Sequence, residues 1–215
     1  MKTVLIFGDS NSWGWKPGND LIKPIERWGA DIRWPGVMQK ELGSGFRVLV
    51  DGQNGRTTVW SDPIDECCCG KDQIALSMDA AAPIDLLIVF VGTNDLNVRY
   101  SASAQDIANG AAILMRTALA QLGAFTDGKP KVILVAPPPL GSVSNGIFKD
   151  MFVGNEEKSK QLGPQYRIVA NTLGVDYLDA GTIVKSSGMD GVHLDADQHK
   201  LLGKAMAETV KEAIG

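Results

Sequence analysis

The chain has 215 residues, 44% of them apolar, with 21 Lys and Arg against 25 Asp and Glu. That length suits one domain, residues 1–215, and the apolar share can build a sizeable core without disulfides or metals. A net charge of −4 leaves no excess of cations to neutralise phosphates, which argues against nucleic acid as a partner. Two histidines, His193 and His199, nearly exclude a histidine-rich metal site and leave only two candidates for imidazole acid–base work.

The first element is a short apolar run, Thr3 to Phe7, that Gly8-Asp9 ends. It is too short for a signal-peptide core, and no stretch approaches a membrane span, so a cytoplasmic protein without a membrane partner is expected. Val4-Leu5-Ile6-Phe7 reads as a buried strand, followed by Phe46 to Val50, Leu86 to Val91, Val132 to Ala136 and a weaker Val175 to Leu178. Continuous apolar runs suggest parallel strands covered on both faces.

Helical patterns alternate with these runs. Trp34-Pro35-Gly36-Val37-Met38 opens a helix with Pro in the first turn, and Ile74 to Ala82 reads as a second. Apolar residues recur at helical spacing from Ile107 to Leu122, from Leu162 to Leu173 and from Leu202 to Ala213, with Pro164 breaking or starting the middle one. The β-α alternation predicts a three-layer α/β/α sandwich around a parallel sheet. Segments 12–33 and 141–154 fit neither period. They carry Trp13, Trp15, Trp28, Phe148 and Phe152, which could anchor the core, wall a substrate site or contact another subunit.

Cys67-Cys68-Cys69 are adjacent, so they rarely bridge one another. Free thiols in a reducing compartment are expected; a catalytic thiol or metal clip would lack both a C-x-x-C spacing and a second ligand cluster.

Ligands of open α/β sheets bind at the carboxyl ends of strands, so the residues following each strand carry the functional signal. They are Gly8-Asp9-Ser10-Asn11, then Asp51 to Thr58, Gly92-Thr93-Asn94-Asp95 and, near the end, Asp190-Gly191-Val192-His193. Ser10 is a nucleophile if a base lies within hydrogen-bond reach; alone it would be a turn residue. His193 precedes a helix start, with Asp195 as N-cap and Gln198 completing a capping box, and is the candidate base. His199 falls inside that helix and is expected at the surface. Asp190 could hold the His193 ring, while Ser10 and Gly55 N–H groups and the Asn94 amide could receive an oxyanion. Each loop has an ordinary structural explanation singly, as a turn or cap. Four at four strand ends make that explanation weak.

On these blocks the chain resembles the SGNH (GDSL-type) hydrolases, with Asn11 where Leu is commoner. The resemblance implies a flavodoxin-like sheet of order 2-1-3-4-5, a Ser10–His193–Asp190 triad, and an oxyanion hole from Ser10, Gly55 and Asn94, with no metal or cofactor. Trp13-Gly14-Trp15, Asp31 to Trp34, Gly55 to Thr58 and Pro137 to Leu140 resemble the bacterial arylesterase/acyltransferase subgroup more narrowly. That likeness implies a homo-oligomer built by long loops, with Trp15, Phe148, Phe152 and Val192 lining the substrate pocket. The expected activity is hydrolysis of a short-chain acyl ester, with transfer to alcohols as an extension. A carbohydrate acetylesterase, a binding module without chemistry and a cysteine hydrolase are the competing readings.

Overall fold

The computed structural model describes residues 1–19, 22–66, 68–143 and 147–215. Five strands, β1 (Lys2–Gly8), β2 (Phe46–Gly52), β3 (Leu86–Phe90), β4 (Val132–Ala136) and β5 (Asp176–Asp179), form one sheet. All pairings are parallel and the order is β2-β1-β3-β4-β5, as expected.

Alternation along the strands divides the core. Leu5, Phe7, Leu87, Val89 and Leu134 face α3 (Gly70–Ala81), α4 (Ala104–Ala120) and α7 (Leu162–Leu173). Val4, Ile6, Ile88, Phe90 and Ile133 face α2 (Trp34–Leu42) and α8 (Ala196–Ile214). Each large side chain so buried contributes roughly 1.5–3 kcal/mol. β1, β3 and β4 bury their apolar runs on both faces, whereas β2 and β5 stay only half-buried because they are the sheet edges.

Several local expectations change. Pro164 is the third residue of α7, so it starts that helix rather than breaking it. α1 (Ser10–Trp13), α5 (Lys149–Phe152) and α6 (Glu156–Ser159) are each four residues long, too short to show a period in sequence. Asp195 does sit at the N-cap of α8, but no side chain caps it. Its carboxylate accepts from the Ser187 hydroxyl at 3.0 Å, and Gln198 Oε1 accepts from the Lys185 N–H at 3.0 Å, so both side chains tie down the preceding loop.

His199 is the main correction. It lies in α8 as expected but is fully buried, and its Nδ1 accepts from the Trp34 N–H at 3.3 Å. α2 packs directly on α8, so this face of the helix turns inward rather than toward water. Burial holds the His199 pKa down at about 3, and the ring is neutral at ordinary pH.

Candidate active site

The chain leaves β1 to form β2 on one side and later returns to form β3 on the other. This reversal opens a crevice at the carboxyl ends of β1 and β3. Gly8 is in register with both Gly52 and Phe90, so three of the four loops begin at one level.

Ser10 is the first residue of α1. Asp9 caps that helix, its Oδ1 accepting from the Asn11 N–H at 2.9 Å, and Gly14 ends it in the left-handed region at φ +99°. The turn is pressed against the sheet. A Cβ on Gly52 would lie 2.6 Å from the Trp13 backbone nitrogen, so only glycine lets β2 pass beneath it.

The last loop brings His193 to Ser10. His193 Nε2 is 3.0 Å from Ser10 Oγ, and Nδ1 is 2.8 Å from Asp190 Oδ2. The other carboxylate oxygen of Asp190 accepts from the Val192 and His193 N–H groups at 2.9 and 3.0 Å. All three side chains are nearly buried. Burial alone would raise the Asp190 pKa, but the hydrogen bond and charge of His193, with the two N–H groups, hold it below the usual carboxylate range. Asp9 is biased oppositely. Burial pushes it up to about 7, against the Asn11 N–H, and neighbouring Asp95 adds to the rise. The site therefore holds one carboxylate as a firm anion against the imidazole and a second that is readily neutral.

Trp15 stacks on the His193 ring at 5.2 Å and 19°, and Phe148 meets it edge-on at 5.2 Å and 62°. These contacts fix the ring plane and offer a π face to an imidazolium.

The donors come from the middle loops. Gly55 has φ +77°, and Asn94 gives one amide hydrogen to the Arg56 carbonyl at 3.0 Å, leaving its second N–H for a ligand. Two contacts that sequence reasoning missed hold these loops. The Arg56 guanidinium is buried over the Phe7 ring at 4.0 Å and donates to the Gly8 carbonyl at 2.8 Å and to Asp51 Oδ1 at 2.9 Å. Asp95 accepts from the Thr58 N–H at 3.0 Å and also from its hydroxyl. The stretch Gly55-Arg56-Thr57-Thr58 carried the only available signal of both.

Ser10, His193, Gly55 and Asn94 all line one cavity of about 550 Å³. Trp15, Phe148, Phe152 and Val192 line it too, forming an apolar wall. Gln53, Asn54, Asp65, Glu66 and Cys68 also line it, which sequence reading did not foresee. Cys68 and Cys69 are buried, and burial raises the Cys69 pKa, which disfavours a thiolate there. Cys67 lies outside the described residues. Among the described residues no cluster of His, Cys, Asp and Glu could hold a metal, and no helix is long and apolar enough to cross a membrane.

A hydroxyl bonded to an imidazole that is bonded in turn to an anion, in one cavity with Gly55 and Asn94, has the parts needed to attack an ester carbonyl. Comparison with known proteins agrees. The chain is similar over its full length to the aryl esterase of M. smegmatis, with 35% identity, complete coverage of both chains and a TM-score of 0.94. It is also similar to Est24, a carbohydrate acetylesterase from Sinorhizobium meliloti, with 36% identity, 99% coverage of each chain and a TM-score of 0.92. A lipolytic G-D-S-L protein from Veillonella parvula, at 13% identity and TM-score 0.69 over 98% and 99% of the two chains, shares the fold. A search of curated proteins returned no match. The model of the GDSL-like lipase/acylhydrolase family matches residues 6–201. The chain belongs to the GDSL-like lipase/acylhydrolase family and is a carboxylic ester hydrolase.

Proposed function

We propose that the protein cleaves short-chain acyl esters of aryl or alkyl alcohols through an acyl-enzyme on Ser10. The 3.0 Å contact between Ser10 Oγ and His193 Nε2, continued at 2.8 Å to Asp190, is the observation that carries this reading. His193 takes the Ser10 proton as the oxygen attacks the ester carbonyl. Asp190 fixes the ring tautomer and stabilises the imidazolium. The oxyanion rests on the Ser10 and Gly55 N–H groups and the Asn94 amide. The alcohol leaves with the proton from His193, and water, or a second alcohol, then takes the acyl group. Trp15, Phe148, Phe152 and Val192 pack against the apolar part of the ester, which favours compact acyl groups and apolar alcohols.

Product analysis of an aryl acetate, with and without added alcohol, tests the reaction. Acetate and phenol should be released, an alkyl ester should form when alcohol is present, and Ser10→Ala should lose both activities. Undiminished turnover by Ser10→Ala would contradict the assignment.

A second reading, deacetylation of carbohydrates, draws on the polar lining residues Gln53, Asn54, Asp65 and Glu66, which could receive sugar hydroxyls, and on the likeness to Est24. Faster turnover of acetylated sugars than of aryl acetates would favour it. We further take residues 1–215 as one hydrolase domain acting as a cytoplasmic homo-oligomer. Exposed Ile22, Ile64, Ile147 and Val153, on or beside the long loops, support self-association, and sedimentation would report a monomer if that is wrong.

A further inference from the structure

The residue after the nucleophile departs from the commoner leucine, and its side chain is committed to the base. Asn11 Nδ2 donates to the Val192 carbonyl at 3.3 Å, and Asn11 Oδ1 accepts from the Leu194 N–H at 3.1 Å. The two bonds bracket His193. Asn11 is 1% exposed, so no water competes for either group. We propose that Asn11 is a positioning residue: it couples the Ser10 helix turn to the His193 backbone and so sets the distance between nucleophile and base. This rests on Ser10 and His193 having those roles.

The surrounding bonds show why the task falls to Asn11. The Val192 and His193 N–H groups go to Asp190 Oδ1. The His193 carbonyl accepts from the Ser187 N–H at 2.7 Å, and the Leu194 carbonyl from the Trp28 indole at 3.2 Å. Asp190 and Ser187 lie in the same loop as His193 and Trp28 in a distant one, so none of these bonds ties the loop to the Ser10 turn. The Val192 carbonyl and the Leu194 N–H answer to Asn11, which is covalently next to Ser10. Asn11 itself is held, since its backbone N–H donates to Asp9 Oδ1 at 2.9 Å at the start of the same turn. A primary amide carries a donor and an acceptor on one carbon, so a single side chain serves both groups flanking His193. Leucine at this position offers neither, and aspartate offers only acceptors. The tie touches no substrate atom, so its effect belongs in the chemical step rather than in binding; displacement of reacting groups by about 1 Å can lower a rate 100-fold.

The test compares wild type with Asn11→Leu and Asn11→Ala. Both variants should lose about 10- to 100-fold in kcat on an aryl acetate, with KM within twofold. The rate of Ser10 phosphonylation by a fluorophosphonate should fall in parallel. The low-field proton resonance of the His193 Nδ1–H should be sharp in wild type and broadened in the variants at a temperature where both are folded. A kcat within twofold of wild type with an unaltered resonance overturns the proposal, as does a loss confined to KM. Ser10→Ala is the control that separates the two claims. If it stays active the triad assignment fails, whereas an inactive Ser10→Ala beside a fully active Asn11→Leu defeats the positioning role alone. Should neither Asn11 variant fold, hydrogen exchange in the wild-type protein decides the matter: the Leu194 amide and the Asn11 carboxamide protons should exchange slowly, and fast exchange of both overturns the tie.

Discussion

Six positions apart, the two histidines meet opposite environments, and the contrast separates burial from function. His193 sits in a loop with a partner on each ring nitrogen, Ser10 and Asp190. His199 sits in a helix with its Nδ1 accepting a backbone N–H and its Nε2 unpartnered, and burial holds its pKa at about 3. Both are almost inaccessible to water. Burial thus makes His199 inert, while His193 has an anion on one ring nitrogen and a hydroxyl on the other. A histidine becomes a base through what it is paired with, and depth alone works against it.

The largest effects should fall on the paired histidine. His193→Ala and Ser10→Ala should each lower kcat at least about 10⁴-fold, because the residual rate then comes from the oxyanion donors and binding alone. His199→Gln keeps an acceptor for the Trp34 N–H and should leave kcat within about twofold; comparable loss in both histidine variants would break the comparison. Asp190→Asn should cost about 10³–10⁴ in kcat by favouring the wrong tautomer of His193. Asn94→Ala should cost about 10²–10³ with little change in KM, as expected for a donor used mainly in the transition state.

The buried histidine should instead govern stability toward acid. Its folded pKa lies below its unfolded value, so the unfolded chain takes the proton first. The contribution is therefore complete above about pH 6.5 and is lost as pH falls toward about 3, at about 1.4 kcal/mol per pH unit. Asp9 and Asp95, raised to about 7 and about 6 mainly by burial, bias stability the other way, toward acid, over a window that overlaps this one. Urea titrations from pH 7 to 4.5 should thus show His199→Gln losing less stability than wild type, the difference isolating the one group. Parallel losses would contradict it. The smallest effect belongs to the exposed rim. Asp65→Asn with Glu66→Gln should improve turnover of an anionic aryl ester over a neutral one by a few fold at low salt, an advantage that 0.5 M salt removes.

The sheet and the loops that meet at the cavity were legible in the sequence for a common reason. The strand runs and the Gly-Asp-Ser, Gly-Thr-Asn-Asp and Asp-x-x-His blocks depend on neighbours close in sequence or on a fixed strand end. His199 and Asn11 were misread or passed over because their partners, Trp34 and the Val192 to Leu194 backbone, are far away in the chain. Helical spacing places His199 in α8 but cannot say that α2 covers that face. The four-residue helix at Ser10 was invisible because it spans barely one turn. Aromatic residues on the long loops were visible as a set. Which of them would meet the imidazole depends on tertiary contact, and Trp15 and Phe148 are the two that do.

The proposed function makes Ser10 the nucleophile and His193 its base. Intact-mass and peptide analysis after treatment with a fluorophosphonate at neutral pH tests it most directly. One adduct per chain should form, on Ser10, at the wild-type rate in His199→Gln, and be all but absent in His193→Ala. An adduct on Cys68 or Cys69, or full labelling of Ser10 without His193, would contradict it.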